Sequence, residues 1–460
     1  MKAPDYRTKS EILAGTRWDP MIGDPNISNA TVLELRLVDD FLAFLERPNS
    51  VSGNGITADV FLKFDQENSS QRRLRALKFA FMSIFPGHPS ILHLEEAIRQ
   101  REPKRSRKGL SSSRRLDVSV PFDTLPTPWK EAFADMDAGF DRNGQMPPAP
   151  GMMGTHKMKI RQLLFSARKA ALPDIISADT VRAYARDMST RNLAPATLKA
   201  SFSAVLKFAR YISTDPESIQ LLEELTRIYE TKARRTKSKK FQHLQNTGYS
   251  PVAVIEQAQT ILDEAPNILS PRSRHAHRNQ AAALAIFSVL PVRLADTRLV
   301  FGETLFWSGD RYTIEMKLSK SSYSWETELD PRLNIFIDAL ILRGCNPIWL
   351  DEMRDNCLQE HRALFITNDG SPVAYNYVSD CWRQVVGTGE HIARTILHTF
   401  LGIKLGEAGT DLAMAATGQR SHATAVAYQG DALAMAQRVK GQTELSDVAK
   451  EFDPSVFEFS

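Results

Sequence analysis

The chain has 460 residues, 42% hydrophobic and 24% charged, the proportions of a soluble globular protein long enough for two or three domains. A formal net charge of +4 and a pI near 8.8 are too mild to establish nucleic-acid binding in bulk, so that argument rests on where the charges fall. Cys345, Cys357 and Cys381 match neither a zinc-site nor a disulfide spacing, the N-terminal Met-Lys-Ala-Pro-Asp-Tyr-Arg lacks an apolar signal core, and no run approaches a membrane span, so a cytoplasmic protein with no membrane partner is expected.

Residues 1–100 read as a helical accessory region. Apolar positions recur at helical spacing over Thr31 to Glu46 and again over Arg73 to Phe85, where Leu74, Leu77, Phe79, Phe81 and Ile84 supply a core face. From 101 to 150 a linker is expected. Arg101 to Arg115 carries seven basic residues and one acidic one, a composition that suits a solvated connection and equally an arm along a DNA backbone. Prolines and glycines from Asn143 to Gly151 then break any regular element.

Residues 151–231 read as a helical bundle. Ser177 is placed to cap a helix running to Met188, and Pro195 opens another in which Leu198, Phe202, Val205, Leu206, Ala209 and Ile212 share a face. The opposite face offers Lys199, Lys207 and Arg210, which reads as a solvated surface or as a DNA-facing stripe. A basic linker follows over 232–249, where Lys232, Arg234, Arg235, Lys237, Lys239 and Lys240 fall within nine residues.

Residues 250–460 read as one further domain with a C-terminal tail. Val254, Ala258 and Leu262 mark a helix, and Asn279 to Leu290 is nearly all apolar, as a buried spine would be. Arg293 and Asp296 follow it directly. Tyr312 to Leu329 alternates like two strands around a polar turn, carrying Lys317 and Lys320. Further on, His391, Arg394 and His398 fall at i, i+3 and i+7, so on a helix they share one face, where a guanidinium and imidazoles suit a phosphate. Gly418-Gln419 comes 25 residues after Arg394, and Tyr428 stands nine beyond Gln419, with His422 between them.

Taken in order, Arg293-x-x-Asp296, the lysine hairpin, His391-x-x-Arg394, Gly418-Gln419 and Tyr428 resemble the catalytic end of the tyrosine recombinase (phage integrase) family. That resemblance implies a mainly α fold with a small antiparallel β-sheet in the catalytic domain (α+β), and makes 151–231 a core-binding domain that clamps DNA. It also implies the site residues. Arg293 and Arg394 would hold the phosphate, Lys317 (or Lys320) would be the general acid, His391 would position and manage a proton, and Tyr428 would be the nucleophile.

The family usually has His or Trp where this chain has Gln419, which donates a hydrogen bond but cannot act as acid or base; His422 is a candidate to replace it. A register on His398-Thr-Phe400 would instead put Leu397 at the second arginine and leave a degenerate site. The expected activity is site-specific cutting and rejoining of double-stranded DNA through a 3′-phosphotyrosyl link, needing no metal or cofactor. A homotetramer on DNA, accessory recombination proteins and a nucleoid-associated location go with it. Two other functions share the pattern: a non-catalytic DNA-binding relative, and a topoisomerase-like nicking and resealing enzyme. By the same resemblance, Phe452, Val456, Phe457 and Phe459 would anchor the tail on a neighbouring protomer.

Overall fold

The computed structural model describes residues 7–48, 55–66, 71–101, 118–236, 243–244, 247–320, 323–419, 421–422 and 425. The fold is mainly helical, with one three-stranded antiparallel sheet. Two compact units divide the chain: Ser106–Gln242, and Met1–Arg105 together with His243–Ser460.

The Ser106–Gln242 unit is a helical bundle. Ser177 caps the helix Ala178–Ser189 through a capping box with Thr180, and Pro195 opens the helix Pro195–Tyr211. Leu198, Phe202, Val205, Leu206 and Ala209 are all buried, as their periodicity demands. The segment expected to be a linker is partly core: the helix Thr127–Asp137 buries Trp129, Ala132, Phe133 and Met136, and Phe133 stacks on Phe208 at 4.6 Å. Its prolines and glycines flank that helix and do not dissolve it. The helix Pro216–Arg235 also runs four residues into the stretch expected to be the second linker.

In the other unit the first hundred residues form their own apolar cluster, built on the helices Val32–Leu45, Ala58–Gln66 and Gln71–Ile84. Phe41 stacks on Phe61 at 4.7 Å and meets Phe64 and Phe81 edge-on. Buried Asp39 accepts hydrogen bonds from Arg7, Arg17 and the Trp18 indole, which fixes the chain entering this cluster. Phe79, expected in the core, is instead exposed, because it falls on the far side of its helix from Leu77 and Ala80.

The C-terminal cluster is organised around the helix Pro271–Val289, whose residues Ala281 to Phe287 are buried on every side. The sheet runs in the order β1 (Leu305–Trp307), β2 (Tyr312–Lys317), β3 (Ser324–Glu328). The hairpin pairs Lys317 with Ser324 and closes with the Leu318 amide donating to the Tyr323 carbonyl at 2.9 Å. Strand β1 was not evident in the sequence. Buried Arg354 joins sheet to helix: its Nε donates to the Tyr312 hydroxyl at 3.0 Å, and its guanidinium lies 4.0 Å from the Trp307 ring centre. Among the described residues no single helix is long and apolar enough to cross a membrane.

Candidate active site

The buried spine delivers Arg293. Pro291 disfavours helical geometry for the residue before it, so the helix stops at Val289 and Leu290 turns out at φ −121°, ψ 68°. Arg293 is then the extended N-cap of a single 3-10 turn, Leu294–Asp296, with the Asp296 amide donating to the Arg293 carbonyl at 2.7 Å. The side chain is half-buried, and its Nη1 is buried with no hydrogen-bond partner. Three residues on, the buried Asp296 carboxylate accepts from the Ser319 amide at 2.8 Å, so the arginine turn is fastened to the lysine hairpin.

That hairpin carries Lys317 at the end of β2 and Lys320 in the turn, both exposed. Its far side rests on the end of the helix Ala408–Thr417. The Trp325 indole donates to the Ala415 carbonyl at 3.2 Å, and Gly418, at φ +59°, lies so close to Leu318 that a Cβ there would come within 2.4 Å of it. Gly418-Gln419 is therefore held beside the hairpin. The Gln419 Oε1 and Nε2 are both buried and have no hydrogen-bond partner. The helix Ala408–Thr417 packs in turn on Ile392–Leu405, where a Cβ on Gly409 would sit 2.2 Å from the Leu401 carbonyl.

The helix Ile392–Leu405 places His391 at its exposed start and Arg394 in the interior, 4% exposed, with Nη2 donating to the Thr417 carbonyl at 3.2 Å. Arg394 thus grips the turn that presents Gln419. His398 departs from the expected shared face. It is fully buried, and burial followed by the nearby Arg394 charge pushes its pKa down to about 4, so it is a neutral interior histidine at pH 7. Helical spacing put the three residues on one side, but that side faces the protein from Arg394 onward.

Contacts thus join the segments bearing Arg293, Lys317, Arg394 and Gln419, while His391 stands exposed at a helix start and His422 is exposed. Tyr428, Lys237, Lys239, Lys240 and the tail residues Phe452, Val456, Phe457 and Phe459 lie outside the described residues. The expected basic stripe on Pro195–Tyr211 is largely neutralised. Lys199 pairs with Glu230 at 3.1 Å, Arg210 pairs with Glu223 at 2.5 Å, and Lys207 is half-buried. Reading each helix alone missed the carboxylates that the following helix brings alongside. Lys232, Arg234 and Arg235 occupy the exposed last turn of Pro216–Arg235, where cations complement the helix dipole; Arg234 also pairs with Glu230.

No protein-family model and no curated protein matches the chain. Two solved structures of XerH site-specific recombinase are similar to it, each at 14% sequence identity. The post-cleavage complex with palindromic difH substrate aligns over 90% of this chain and 97% of that one, with a TM-score of 0.36. The pre-cleavage complex with difH substrate aligns over 86% and 91%, with a TM-score of 0.39.

Proposed function

We propose that the chain is a tyrosine-type site-specific DNA recombinase. The observation that carries this reading is the pair of buried groups without protein partners, Arg293 Nη1 and the Gln419 amide, on segments that one continuous set of contacts ties to the Lys317 hairpin and to Arg394. Leaving a buried polar group unpaired costs about 1–3 kcal/mol, and such costs are tolerated where a ligand supplies the missing bond. A phosphodiester fits, since its non-bridging oxygens accept from both a guanidinium and an amide.

In the reaction, the Tyr428 phenol oxygen attacks phosphorus and loses its proton. The bond from phosphorus to the 5′-oxygen breaks as a covalent 3′-phosphotyrosine forms, and the departing 5′-hydroxyl takes a proton from Lys317. Lys317 is favoured over Lys320 because it is fixed at a strand end, paired in register with Ser324. Arg293 and Arg394 offset the charge that builds on the phosphoryl oxygens, and His391 helps position the phosphate and manage the tyrosine proton. Reversing the step with another strand's 5′-hydroxyl rejoins DNA without an external energy source. Double-stranded DNA is the partner, taken up by a homotetramer on paired sites in a cytoplasmic, nucleoid-associated setting.

A 5′-bridging phosphorothioate substrate tests the role of Lys317, because a thiolate leaves without a proton. Lys317→Ala should be inactive on ordinary DNA and active on the sulfur substrate, with Lys320→Ala active on both; the reverse pattern would move the acid to Lys320. A second reading, a non-catalytic DNA-binding relative, draws support from Gln419, which cannot transfer protons, and from the burial of Arg394. Failure of cleavage on both substrates despite retained DNA binding would favour it.

A further inference from the structure

A cavity of about 450 Å³ lies within the larger unit, between the N-terminal helices Gln71–Ile84 and Ser90–Arg101 and the start of the helix Pro271–Val289. The recombination chemistry makes no use of it. Four cationic side chains line it, Lys78, Arg274, Arg278 and Arg343, against a single carboxylate, Glu95, which Lys78 already engages at 2.6 Å. Met82, Ile91, Leu92 and Pro266 supply apolar wall, and its volume falls within the range of small-molecule sites, about 300–1,000 Å³.

The arginines are held in place by the backbone. Arg278 Nη1 donates to the Arg343 carbonyl at 3.2 Å, and its guanidinium lies where a Cβ on Gly344 would be 3.0 Å away, so the glycine leaves room for it. Arg343 itself adopts φ +52°, a left-handed conformation that is uncommon outside glycine, and Nη2 donates to the Asn368 carbonyl at 2.8 Å. Two buried polar atoms on the wall have no hydrogen-bond partner: Arg343 Nε, and Nδ1 of His275, a residue only 3% exposed whose Nε2 meets the Ile366 carbonyl at 2.9 Å. Burial is the main cause holding Arg278 and Arg343 below the ordinary guanidinium range. The neighbouring cations Arg274, Arg362 and Arg99 add to it. The helix start contributes further positive potential. The protein has thus gathered more positive charge than its own carboxylates balance, in a partly apolar chamber.

We propose that this cavity binds a small phosphate monoester with an apolar or aromatic body, gripped by Arg274, Arg278 and Arg343 from one wall and Lys78 from the other. A monoester carries about −1.5 to −2 charge and three acceptor oxygens, matching the excess of donors. Because its walls come from residues 78–95 and from residues 266–368, an occupant bridges the N-terminal helices to the part of the unit that begins at His243. A backbone-backbone bond, Asn346 amide to Gly87 carbonyl at 3.0 Å, and the edge-on His88–Trp349 ring pair at 4.8 Å already join these two parts. The ligand would thus stabilise this unit without touching Arg293 or Arg394.

The test is calorimetric titration of the full chain with AMP, with inorganic phosphate and with adenosine, repeated on Arg274→Gln, Arg278→Gln and Lys78→Met. AMP should bind and raise the thermal midpoint, phosphate should compete with it, and adenosine should bind at least about tenfold more weakly. Each variant should lose about tenfold or more in AMP affinity; Arg278 donates to the Arg343 carbonyl and Lys78 pairs with Glu95, so Arg274→Gln is the substitution least able to disturb folding, which the unliganded midpoint checks. Equal binding of adenosine and AMP, no AMP binding at millimolar concentration, or AMP binding unchanged in all three variants would overturn the proposal. So would loss, in the variants, of binding to a short 5′-phosphorylated duplex when AMP itself does not bind, since the cavity would then belong to DNA ends.

Discussion

The Ser319 amide donates to the Asp296 carboxylate at 2.8 Å, so the turn that begins at Arg293 is tied directly to the hairpin that carries Lys317. Asp296 is 7% exposed. Asp296→Ala should therefore lower stability by about 1–3 kcal/mol and, under the proposed function, lower DNA cleavage more than that loss explains, because the segments bearing Arg293 and Lys317 lose their shared anchor. Asp296→Asn keeps an acceptor and should recover most of the stability. Urea unfolding midpoints beside cleavage rates would separate the two effects.

Arg293 and Arg394 should part company under substitution. With no protein partner at Nη1, Arg293→Gln should change stability by less than about 1 kcal/mol while cutting cleavage by roughly 10²–10³-fold, the usual cost of losing a charge-stabilising donor. Arg394→Gln removes the bond to the Thr417 carbonyl from a buried site, and should cost about 1–3 kcal/mol of stability in addition to activity. Equal stability losses in the two variants would contradict the arrangement.

These two arginines also show how far the sequence could be read. Arg293 was legible because a long apolar run stops at Pro291 and hands over to Arg-x-x-Asp, a local event. The helix cap at Ser177 and the β2–β3 hairpin were legible for the same reason, since capping and period-two alternation act over a few residues. What depended on distant partners was not legible. Spacing placed His398 beside Arg394 without revealing that the side is buried, and the Lys199 stripe looked free because Glu230 comes 31 residues later. The helix Thr127–Asp137 was read as linker since its proline-rich flanks dominate the local signal, while its apolar face packs into a cluster drawn from distant parts of the chain, Phe208 among them.

Acid should destabilise the protein in a defined window. His275 and His398 are buried and have folded pKa values of about 4, below the ordinary value of 6.5, mainly through desolvation. Between those limits the unfolded chain binds more protons than the folded one, so stability rises with pH there. Their contribution is complete above about pH 6.5 and is lost as pH falls toward 4, on the order of 3 kcal/mol for each histidine. Unfolding midpoints at pH 7 and pH 5 should show the fall, and His398→Gln should flatten it.

Under the proposed function, salt dependence should single out the cations in the last turn of Pro216–Arg235. Replacing Lys232 and Arg235 with glutamine should reduce the slope of log affinity against log salt by about two, roughly one per phosphate contact. Lys199→Gln should leave the slope nearly unchanged, because Glu230 already engages that ammonium at 3.1 Å. Titrating a labelled duplex at several salt concentrations gives both slopes.

In the proposed reaction Tyr428 attacks a phosphate held by Arg293 and Arg394. Nicked suicide substrates from the flanks of the chain's own gene, incubated with the protein and run on denaturing gels, test it directly. A covalent protein–DNA band that disappears in Tyr428→Phe, while the gel shift of intact complexes persists, is the predicted result. A clear gel shift with no covalent band from the unaltered chain, or a band that survives in Tyr428→Phe, would contradict it.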